Sequence, residues 1–575
     1  MRQMDRAART AETGASLSFS YRFSRYGLLQ TTALQAVAIA LLAATQAHPS
    51  FAQLPPATAP AGGVVVAGQA RIAQTANATT VVQATSRAVL NWQSFNVGAA
   101  HSVDFQQPSS SAVALNRVVG PNPSEIAGRI HANGTIVIVI QAGVVFSQGA
   151  QVDTAGLVVS AAGISNSNFM AGRMAFDQPA QPGAKIENRG RITIGDRGLA
   201  ALVGPHVANS GTVQAKLGTV ILAGAEAHRL DLYGDGMVGI NVTQQVRTAA
   251  DGTAALVTNT GIVTARGGIV TLTAEAVDGV VQTLVNAGGT IRANSAAART
   301  GKVLISGKGG DVIVAGTVEA AGRGAGQTGG AIEVVSSGAV NLAQGARVNA
   351  SGRAGGGKVA IGTTLARAAG GASAMGQPTA KTVTVASTAS IAANATAAGN
   401  GGTVTLLSVD QTTMAGSIAA KGGPNGGDGG FVEVSGGVVA LTGQVDATAL
   451  KGAAGTLLLD PLDLYVSDAQ PTVGGTLVGG VAATATILAA GSPDALTSSW
   501  ITPAQLQSVG ANVALAASRD LFVASGTVAG GNTLALGANT ISLTAASNLV
   551  IDRGFTISAG GVSLNAGTIT LNGGT

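Results

Sequence analysis

The stretch that decides the fold is a repeat. Residues 207–225 read VANSGTVQAKLGTVILAGA, and residues 257–275 read VTNTGIVTARGGIVTLTAE. At a spacing of fifty residues the two segments share Asn209/Asn259, Gly211/Gly261, Val213/Val263, Ala215/Ala265, Gly218/Gly268, Val220/Val270 and Leu222/Leu272. A related segment, IENRGRITI, begins at Ile186, twenty-one residues before Val207. We therefore interpret the fifty-residue spacing as two turns of a coil, one of them enlarged.

A second pattern recurs further along the chain. It appears as VEAAGRGAGQTGGAIEV at 318–334, VNASGRAGGGKVAI at 348–361, IAANATAAGNGGTVTL at 391–406, IAAKGGPNGGDGGFVEV at 418–434 and VDATALKGAAGTLLL at 445–459. The starts are separated by 30, 43, 27 and 27 residues. The unit is therefore about 21–30 residues long, with occasional insertions.

Each unit alternates apolar and polar residues over short stretches, which buries one face of a strand. Glycine and asparagine separate these stretches, and we expect them to supply the left-handed backbone of sharp corners. One unit cannot bury its apolar face alone, whereas stacked units can. We expect an all-β fold, a right-handed parallel β-helix (β-solenoid) with an irregular N-terminal cap. An antiparallel β-sandwich array would need a hairpin at every strand junction, which the coil-length period does not favour.

Composition narrows the classes of function. Charged residues are 10% of the chain and the net charge is +5, with no basic stripe interleaved with aromatics to bind nucleic acid. There is no cysteine, as suits a chain that threads unfolded across a periplasm, although large β proteins also do without disulfides. Residues 1–52 read as an extended signal peptide, because the apolar run 33–44 is too short to span a bilayer and SFA at 50–52 fits a cleavage site. We expect an exported chain with no stable membrane span.

Several motifs resemble catalytic or cofactor sites without their context. Gly324, Gly326 and Gly329 spell GxGxxG but lead into a strand, and GRAGGGKV at 352–359 lacks the hydroxyl of a phosphate loop. Asp460 and Asp463 could form a carboxylate pair, but Pro461 between them favours a turn. The four histidines after residue 52 show no metal-ligand spacing. We expect no enzyme, no cofactor and no metal.

The segment 460–510 is expected to interrupt the repeats with a short helix, in which Thr502 caps, Pro503 opens and Gln505 completes a capping box. The predicted organisation is a signal peptide at 1–52, a cap with first coils at 53–300, glycine-rich coils at 301–459, the interruption, and further coils at 511–575. The repeats run to Thr575 without a polar capping segment, so we expect the C-terminus to be truncated or covered by something else.

One module is irregular. Residues 88–107, AVLNWQSFNVGAAHSVDFQQ, bring aromatic residues together in a chain that is only 3% aromatic. With the continuation AVALNRVVG, SEIAGRIHANG and GAQVDTAGLVVSAAGI, this module resembles the secretion domain of two-partner secretion exoproteins, the filamentous-haemagglutinin-like family of Gram-negative bacteria. Where that family commonly carries an Asn-Pro-Asn-Gly turn, this chain has IQAGVVF (140–146) and retains only the glycine. The secretion motif carried over is Asn91, Trp92, Phe95, Asn96, Phe105, Gln107, Asn116, Arg117, Gly120, Ser124, Ile126, Gly128, Asn133, Gly134 and Gly143.

The resemblance implies recognition by periplasmic domains of an outer-membrane transporter and a location outside the cell or on its surface. It implies a structural protein, in the first place an adhesin or haemagglutinin with a receptor on a host or neighbouring cell. The alternatives are the stalk of a contact-dependent inhibition toxin, capture of a haem-carrying host protein, and a β-helix enzyme acting on polysaccharide. We also expect Asn91 and Asn116 to bond backbone groups at corners of the first coils.

Overall fold

A computed structural model describes residues 54–231, 239–249, 252–370, 378–470, 472–473, 476–477, 498–524 and 533–572. The predicted signal peptide lies outside the described residues. No helix among the described residues is long and apolar enough to cross a membrane. Almost all of the regular structure is β-strand.

The strands up to residue 160 are β1 (Val64–Ala67), β2 (Ala70–Gln74), β3 (Ala78–Gln83), β4 (Arg87–Trp92), β5 (Ser102–Gln106), β6 (Val113–Val118), β7 (Ser124–Ile126), β8 (Arg129–Val139), β9 (Gly143–Phe146) and β10 (Gln151–Ser160). Helix α1 (Asn166–Met170) follows, and the next strands are β11 (Ala175–Phe176), β12 (Lys185–Asn188), β13 (Arg191–Ile194), β14 (Leu199–Gly204), β15 (His206–Asn209), β16 (Thr212–Ala215), β17 (Thr219–Gly224), β18 (Ala227–Leu230), β19 (Ile240–Gln244), β20 (Ala255–Asn259), β21 (Ile262–Thr264), β22 (Ile269–Glu275), β23 (Thr283–Ala287) and β24 (Thr290–Arg292).

The middle of the chain contains β25 (Lys302–Lys308), β26 (Asp311–Val314), β27 (Thr317–Glu319), β28 (Ala331–Ser336), β29 (Ala339–Leu342), β30 (Arg347–Asn349), β31 (Lys358–Ile361), α2 (Leu365–Ala368), β32 (Ala380–Val385), β33 (Ser390–Ala392), β34 (Thr403–Met414), β35 (Ser417–Ala419), β36 (Phe431–Ser435), β37 (Val438–Leu441) and β38 (Gln444–Asp446). The last elements are β39 (Thr456–Asp460), β40 (Asp463–Val466), β41 (Thr472–Val473), β42 (Thr476–Leu477), β43 (Ser498–Ile501), α3 (Pro503–Gln507), β44 (Asn512–Ala517), β45 (Asp520–Val523), β46 (Thr533–Ala535), β47 (Thr540–Ile551), β48 (Thr556–Ser558) and β49 (Gly561–Leu571).

The strands form three parallel stacks, and each turn of the chain visits them in order. One complete coil runs through β14 in stack 1, β15 in stack 2 and β16 in stack 3, and returns to stack 1 as β17, where Leu199 lies opposite Thr219. Stack 1 continues through β22, β25, β28, β31 and the first half of β34. Stack 2 continues through β20, β23, β26 and β29, and stack 3 through β21, β24, β27 and β30. The expected parallel β-helix is confirmed.

Our interpretation of the fifty-residue spacing is wrong. Strand β15 pairs directly with β20, with Val207 opposite Val257 and Asn209 opposite Asn259. The fifty residues therefore make one coil, not two. The excess length includes β18 and β19, which leave the helix. They form a separate antiparallel sheet in which β18 lies between β11 and β19.

The later repeats pair as their spacing predicts. In stack 3, Val318 lies opposite Val348, and this column continues through Ile391, Ile418 and Val445. All of these side chains are buried in one continuous apolar core. The 43 residues from Val348 to Ile391 make one coil, and this enlarged coil contains α2.

The glycines of the later repeats allow close approach between coils at some positions and adopt left-handed backbone at others. A Cβ on Gly356 would lie 1.9 Å from the carbonyl oxygen of Ala393, and one on Gly429 would lie 1.8 Å from that of Ala447. Neither glycine is among those with positive φ. Other glycines of the same repeats do have positive φ values, between 70° and 149°: Gly326, Gly355, Gly399, Gly426 and Gly427. Our expectation of left-handed corners is therefore confirmed for these glycines and wrong for Gly356 and Gly429. The GxGxxG segment precedes strand β28, as its sequence indicated.

The segment 460–510 departs from simple winding. Residues Asp463–Val466 pair in parallel both with β43 and with β45, so these two strands occupy opposite edges of β40. The amide of Val439 in β37 donates to Oγ of Ser499 in β43. Strand β43 therefore lies between β37 and β40, although it follows both in the sequence.

Helix α3 confirms part of the capping prediction. Thr502 is its N-cap, with a side chain that accepts from the Gln505 amide, and Pro503 is its first residue. The capping box is incomplete, because the Gln505 side chain donates to the carbonyl oxygen of Leu441 in the neighbouring coil.

An accessory layer covers the outside of stack 1 near its N-terminal end. It comprises α1 and the sheet of β11, β18 and β19. Its Phe169 and Phe176 are buried against outward-facing residues of stack 1, among them Val137, Val158 and Ile221. This layer gives the early coils a second apolar core outside the helix.

Candidate functional site

The N-terminal cap closes the open end of the first coil with two antiparallel strands. β1 lies antiparallel to β4 at the end of stack 1, with Val64 opposite Asn91. β2 lies antiparallel to β3 at the end of stack 3, with Ala70 opposite Gln83. From β4 and β3 onward both stacks are parallel. The cap therefore covers an edge that would otherwise expose unpaired backbone groups.

Three aromatic residues of the motif form the core beneath this cap. Trp92, Phe95 and Phe105 are fully buried. The rings of Trp92 and Phe95 meet edge to face, with centroids 5.4 Å apart. Close packing extends to Gly63, where a Cβ would lie 2.4 Å from the Trp92 ring.

The two asparagines match our expectation only in part. Asn116 is fully buried on β6, and its Oδ1 accepts from Nε1 of Trp92 at 3.0 Å. Asn91 is half-buried on β4, and its Oδ1 accepts from Nη1 of Arg117 at 3.2 Å. Nδ2 of Asn116 also donates to the Ala114 carbonyl oxygen at 3.4 Å, so the predicted bond to the backbone is confirmed for Asn116. Both residues lie on strands, so the predicted position at corners is wrong, because alternation along a strand turns Asn116 into the core.

Arg117 joins the cap to the segment that leads into the accessory layer. Its Nη2 donates to the carbonyl oxygen of Ile164 at 2.6 Å. Partial burial lowers the pKa of this guanidinium from its usual value, but a guanidinium remains charged at any physiological pH. Arg117 therefore connects β4, β6 and the chain just before α1.

The remaining polar motif residues clamp loops of successive coils. Oδ1 of Asn133 accepts from the Gln107 amide and its Nδ2 donates to the Gln107 carbonyl oxygen, each at 2.7 Å. Oδ1 of Asn96 accepts from the Glu125 amide at 2.8 Å. Oγ of Ser124 accepts from the Phe95 amide at 3.4 Å. The buried Ile126 accepts through its carbonyl oxygen from the Ser147 amide of the next coil.

The motif glycines stand where a side chain would strike a neighbouring coil. A Cβ on Gly120 would lie 2.1 Å from the Gln93 carbonyl oxygen. For Gly128 the corresponding distance to the His101 carbonyl oxygen is 2.2 Å, and for Gly134 the distance to the Ala112 carbonyl oxygen is 2.7 Å. Gly143 has a φ of 99° and faces Lys185 of the next coil. This contact gives a physical reason to keep a glycine here without the Asn-Pro-Asn turn.

Some supporting residues were not found from the sequence. Oε1 of the buried Gln83 accepts from Nε2 of Gln107 at 3.1 Å. The buried His101 ring contacts Oγ1 of Thr79 through Nε2 at 2.9 Å. The only sequence signal for Gln83 is a polar residue at an inward position of the alternating run 78–83. Overall, the most buried motif side chains point inward, so they shape the cap and contact other parts of the same chain.

The carboxylates considered as a catalytic pair have separate partners. Oδ1 of Asp463 accepts from Nε of Arg519 at 2.8 Å. Asp460 accepts from Oγ of Ser518 at 3.2 Å, and burial raises the pKa of its carboxyl group. Asp460 is the last residue of β39 and Asp463 is the first residue of β40, so the turn that we expected at Asp460 is wrong: Pro461 follows the end of one strand and does not interrupt it. Within the described ranges no group of three or more His, Cys, Asp or Glu residues could hold a metal ion.

Comparison with known proteins agrees with this architecture. Residues 57–320 match the family model of the TPS secretion domain. Residues 57–320 thus resemble a two-partner secretion domain, the module that exoproteins secreted through the outer membrane carry. The matched model is that of a secretion domain of exoproteins.

Particular relatives come from Haemophilus influenzae. One Heme/hemopexin-binding protein is 34% identical over 164 residues, which cover 27% of this chain and 18% of the relative. A second protein of that name is 41% identical over 86 residues, covering 15% of this chain and 9% of the relative. The chain therefore spans less than a fifth of either relative. The crystal structure of the HMW1 secretion domain matches with a TM-score of 0.58 and 25% identity, over 70% of this chain and all of that domain.

Proposed function

We propose that this chain is a surface-exposed or released structural exoprotein of the adhesin type, whose N-terminal cap is the element that an outer-membrane transporter recognises. The observation that carries the proposal is the cap itself. Strands β1 and β2 close the first coil, and the family match covers the region that contains them. The coils beyond residue 320 supply length and lateral surface.

The motif residues are proposed to act by fixing the shape of the cap. Trp92, Phe95 and Phe105 are inaccessible in the folded chain, so a transporter that meets the folded cap would contact their exposed neighbours. Val64 and Val119 are such neighbours, with 58% and 50% of their surface exposed. A misshapen core would displace this surface without removing any contact residue.

Export would draw its driving force from folding outside the cell. A coil without a partner leaves its strand edges unpaired, whereas each coil that stacks on the cap gains backbone hydrogen bonds and buries apolar side chains. No step in this scheme needs nucleotide hydrolysis. The absence of cysteine means that no disulfide has to open before threading.

Capture of a haem-carrying protein is a second candidate, supported by the names of the two relatives. Their aligned parts cover only 18% and 9% of those proteins, so the likeness leaves most of each relative unmatched. The adhesin remains the leading proposal because the described coils offer an extended lateral surface.

The test is secretion of Asn116→Ala from a Gram-negative host that expresses the full chain with its transporter. Loss of this amide leaves the buried Nε1 of Trp92 without its acceptor, which costs about 1–3 kcal/mol. Secretion is expected to fall, while the processed chain accumulates or is degraded in the periplasm. Asn91→Ala should have a smaller effect, since Arg117 keeps its bond to Ile164.

The matched control is Asn341→Ala, in a half-exposed position on β29 far along the chain. It should be exported normally. Secretion of Asn116→Ala at the wild-type level would contradict the proposed role of Asn116 in the cap.

A further inference from the structure

A basic cleft opens at the corner between stack 3 and stack 1, on the coils that follow the accessory layer. It has a volume of about 590 Å³. The side chains that give the cleft its character are Lys216, Arg266, Arg292, Asn294, Arg323 and Gln327. No carboxylate is among the residues that line it. Charged residues make up only 10% of the chain, so four cations at one site are a marked concentration.

The register of the coils brings these residues together. The Leu217 amide donates to the Arg266 carbonyl oxygen, and the Gly267 amide donates to that of Asn294. Lys216, Arg266 and Asn294 therefore occupy equivalent places on consecutive coils. Arg323 lies one coil further on, since Arg292 is opposite Glu319. At ~4.8 Å per coil, the cleft follows the helix axis for ~14 Å.

The cleft carries excess positive charge that is held in place. The exposed Arg292 and Arg323 both bond Glu319, at 3.0 Å and 2.9 Å, and the Glu319 side chain is only 11% exposed. Lys216 pairs with Asp196 at 3.0 Å. Arg266 is exposed and has no ion pair or side-chain hydrogen bond within the described part of the chain. The two carboxylates of Asp196 and Glu319 therefore pair with three of the four cations. The fourth cation, Arg266, lies in the middle of the row.

We propose that the basic cleft binds a linear acidic polysaccharide through its carboxylate or sulfate groups. Arginine presents a planar fork of donors that matches such anions, and a row of cations along one axis fits a chain with charges at intervals. No aromatic side chain lines the cleft, whereas binding of single-stranded nucleic acid relies on stacking of bases on aromatic rings. The observations therefore favour a glycan over a nucleic acid.

This proposal names a ligand for the proposed adhesin. It rests on the proposed function in one respect only, that the chain is located outside the cell. The binding test uses the purified, processed full chain, so it does not depend on how the chain was exported. The probes are a heparin-derived hexasaccharide, which carries sulfates and carboxylates, and a hyaluronan hexasaccharide, which carries carboxylates alone. Affinity is measured by calorimetry at low and moderate salt.

Binding of either probe, weakening with salt, is expected. Arg266→Gln should lower the affinity about tenfold or more, because one charge-assisted contact is lost. The control Lys381→Gln removes the same charge from an exposed position on β32, in stack 2, and should bind as the wild type does. Binding of the heparin probe alone would assign the cleft to sulfate groups, and binding of both would assign it to carboxylates.

Three results would overturn the proposal. The first is that neither probe binds, and the second is that Arg266→Gln binds the probes as tightly as the wild type does. The third is that a single-stranded oligonucleotide binds as tightly as the glycan probes and is weakened by Arg266→Gln to the same extent. Secretion of Arg266→Gln should match the wild type. A secretion defect would instead assign the cleft to the transporter, while Asn116→Ala tests the cap separately.

Discussion

At the scale of single residues, a ladder of buried asparagines stabilises stack 2. Nδ2 of Asn188 donates to Oδ1 of Asn209, and Nδ2 of Asn209 donates to Oδ1 of Asn259, each at 2.7 Å. All three side chains are buried. The ladder ends where Ala287 lies opposite Asn259. Identical side chains at equivalent places of successive coils can thus satisfy each other's hydrogen bonds inside an apolar core.

Asn209→Ala should destabilise these coils because it leaves a donor on Asn188 and an acceptor on Asn259 unpaired. The expected cost is about 1–3 kcal/mol for each group, seen as a lower urea midpoint. Asn341→Ala is the control, since Asn341 is half-exposed and belongs to no ladder. An unchanged midpoint for Asn209→Ala would mean that water or relaxation replaces the lost partners.

His228 on β18 should make stability depend on pH. Its ring is buried and stacks on Phe176 with centroids 4.6 Å apart. Burial lowers its pKa to about 3, whereas an unfolded histidine titrates near 6.5. The folded-state pKa is depressed, so the contribution of the neutral ring is complete above pH ~6.5 and is lost progressively as the pH falls toward ~3.

His228→Phe keeps the stacked ring and removes this titration. Between pH ~6.5 and pH ~4.5 the wild type should lose up to about 2.7 kcal/mol more than this variant, at about 1.36 kcal/mol per pH unit. Urea midpoints at both pH values measure the difference. Asn341→Ala, which removes no ionisable group, should show the same dependence on pH as the wild type. Parallel pH profiles for His228→Phe and the wild type would contradict the assignment.

At the scale of elements, columns of glycine decide how closely the coils pack. Gly329, Gly356, Gly401 and Gly429 occupy equivalent places, and at each a Cβ would lie 2.0 Å or less from a carbonyl oxygen of another coil. The neighbour is backbone in every case, so it cannot move aside cheaply. Glycine at these positions therefore sets the distance between neighbouring coils. This role cannot be deduced from the sequence of one repeat alone, because the constraint comes from the adjacent coil.

Gly356→Ala should therefore disrupt stacking by about 1–3 kcal/mol or more, measured as a lower unfolding midpoint. Gly195→Ala is a matched control, because the nearest atom to its Cβ would be 3.4 Å away and its φ is not positive. This control should be neutral or slightly stabilising. If both variants unfolded at the same point, close approach would not be the constraint at Gly356.

At the scale of the whole molecule, each coil contacts mainly the coils before and after it, so stability is approximately a sum of local terms. The capped end should therefore fold without the rest. We expect a fragment of residues 53–300 to give a β-rich circular dichroism spectrum, because it contains the cap, the accessory layer and several coils. Residues 301–459, which lack a cap, should be less soluble. A random-coil spectrum for the first fragment would contradict this prediction.

The sequence predicted what depends on local pattern. The spacing of Val318 and Val348 predicted their stacking, and the order of Thr502 and Pro503 predicted the start of α3. It did not predict features that depend on neighbouring coils. The related segment twenty-one residues before Val207 suggested that fifty residues make two turns, because the sequence does not show that β18 and β19 leave the helix. The proximity of Lys216 to Arg266 therefore went unrecognised.

The position of β43 has a consequence for the order of assembly. A chain that emerges with its N-terminus first can wind coil by coil only while each new strand adds to the outer edge of its stack. Strand β43 instead fills a place between β37 and β40, which precede it by more than thirty residues. Winding must therefore pause with β40 undocked, or leave a gap that β43 later fills. The docking of β43 is therefore a step out of sequence order in the winding of the described coils. The coils that follow it can complete their packing only after β43 has docked between β37 and β40.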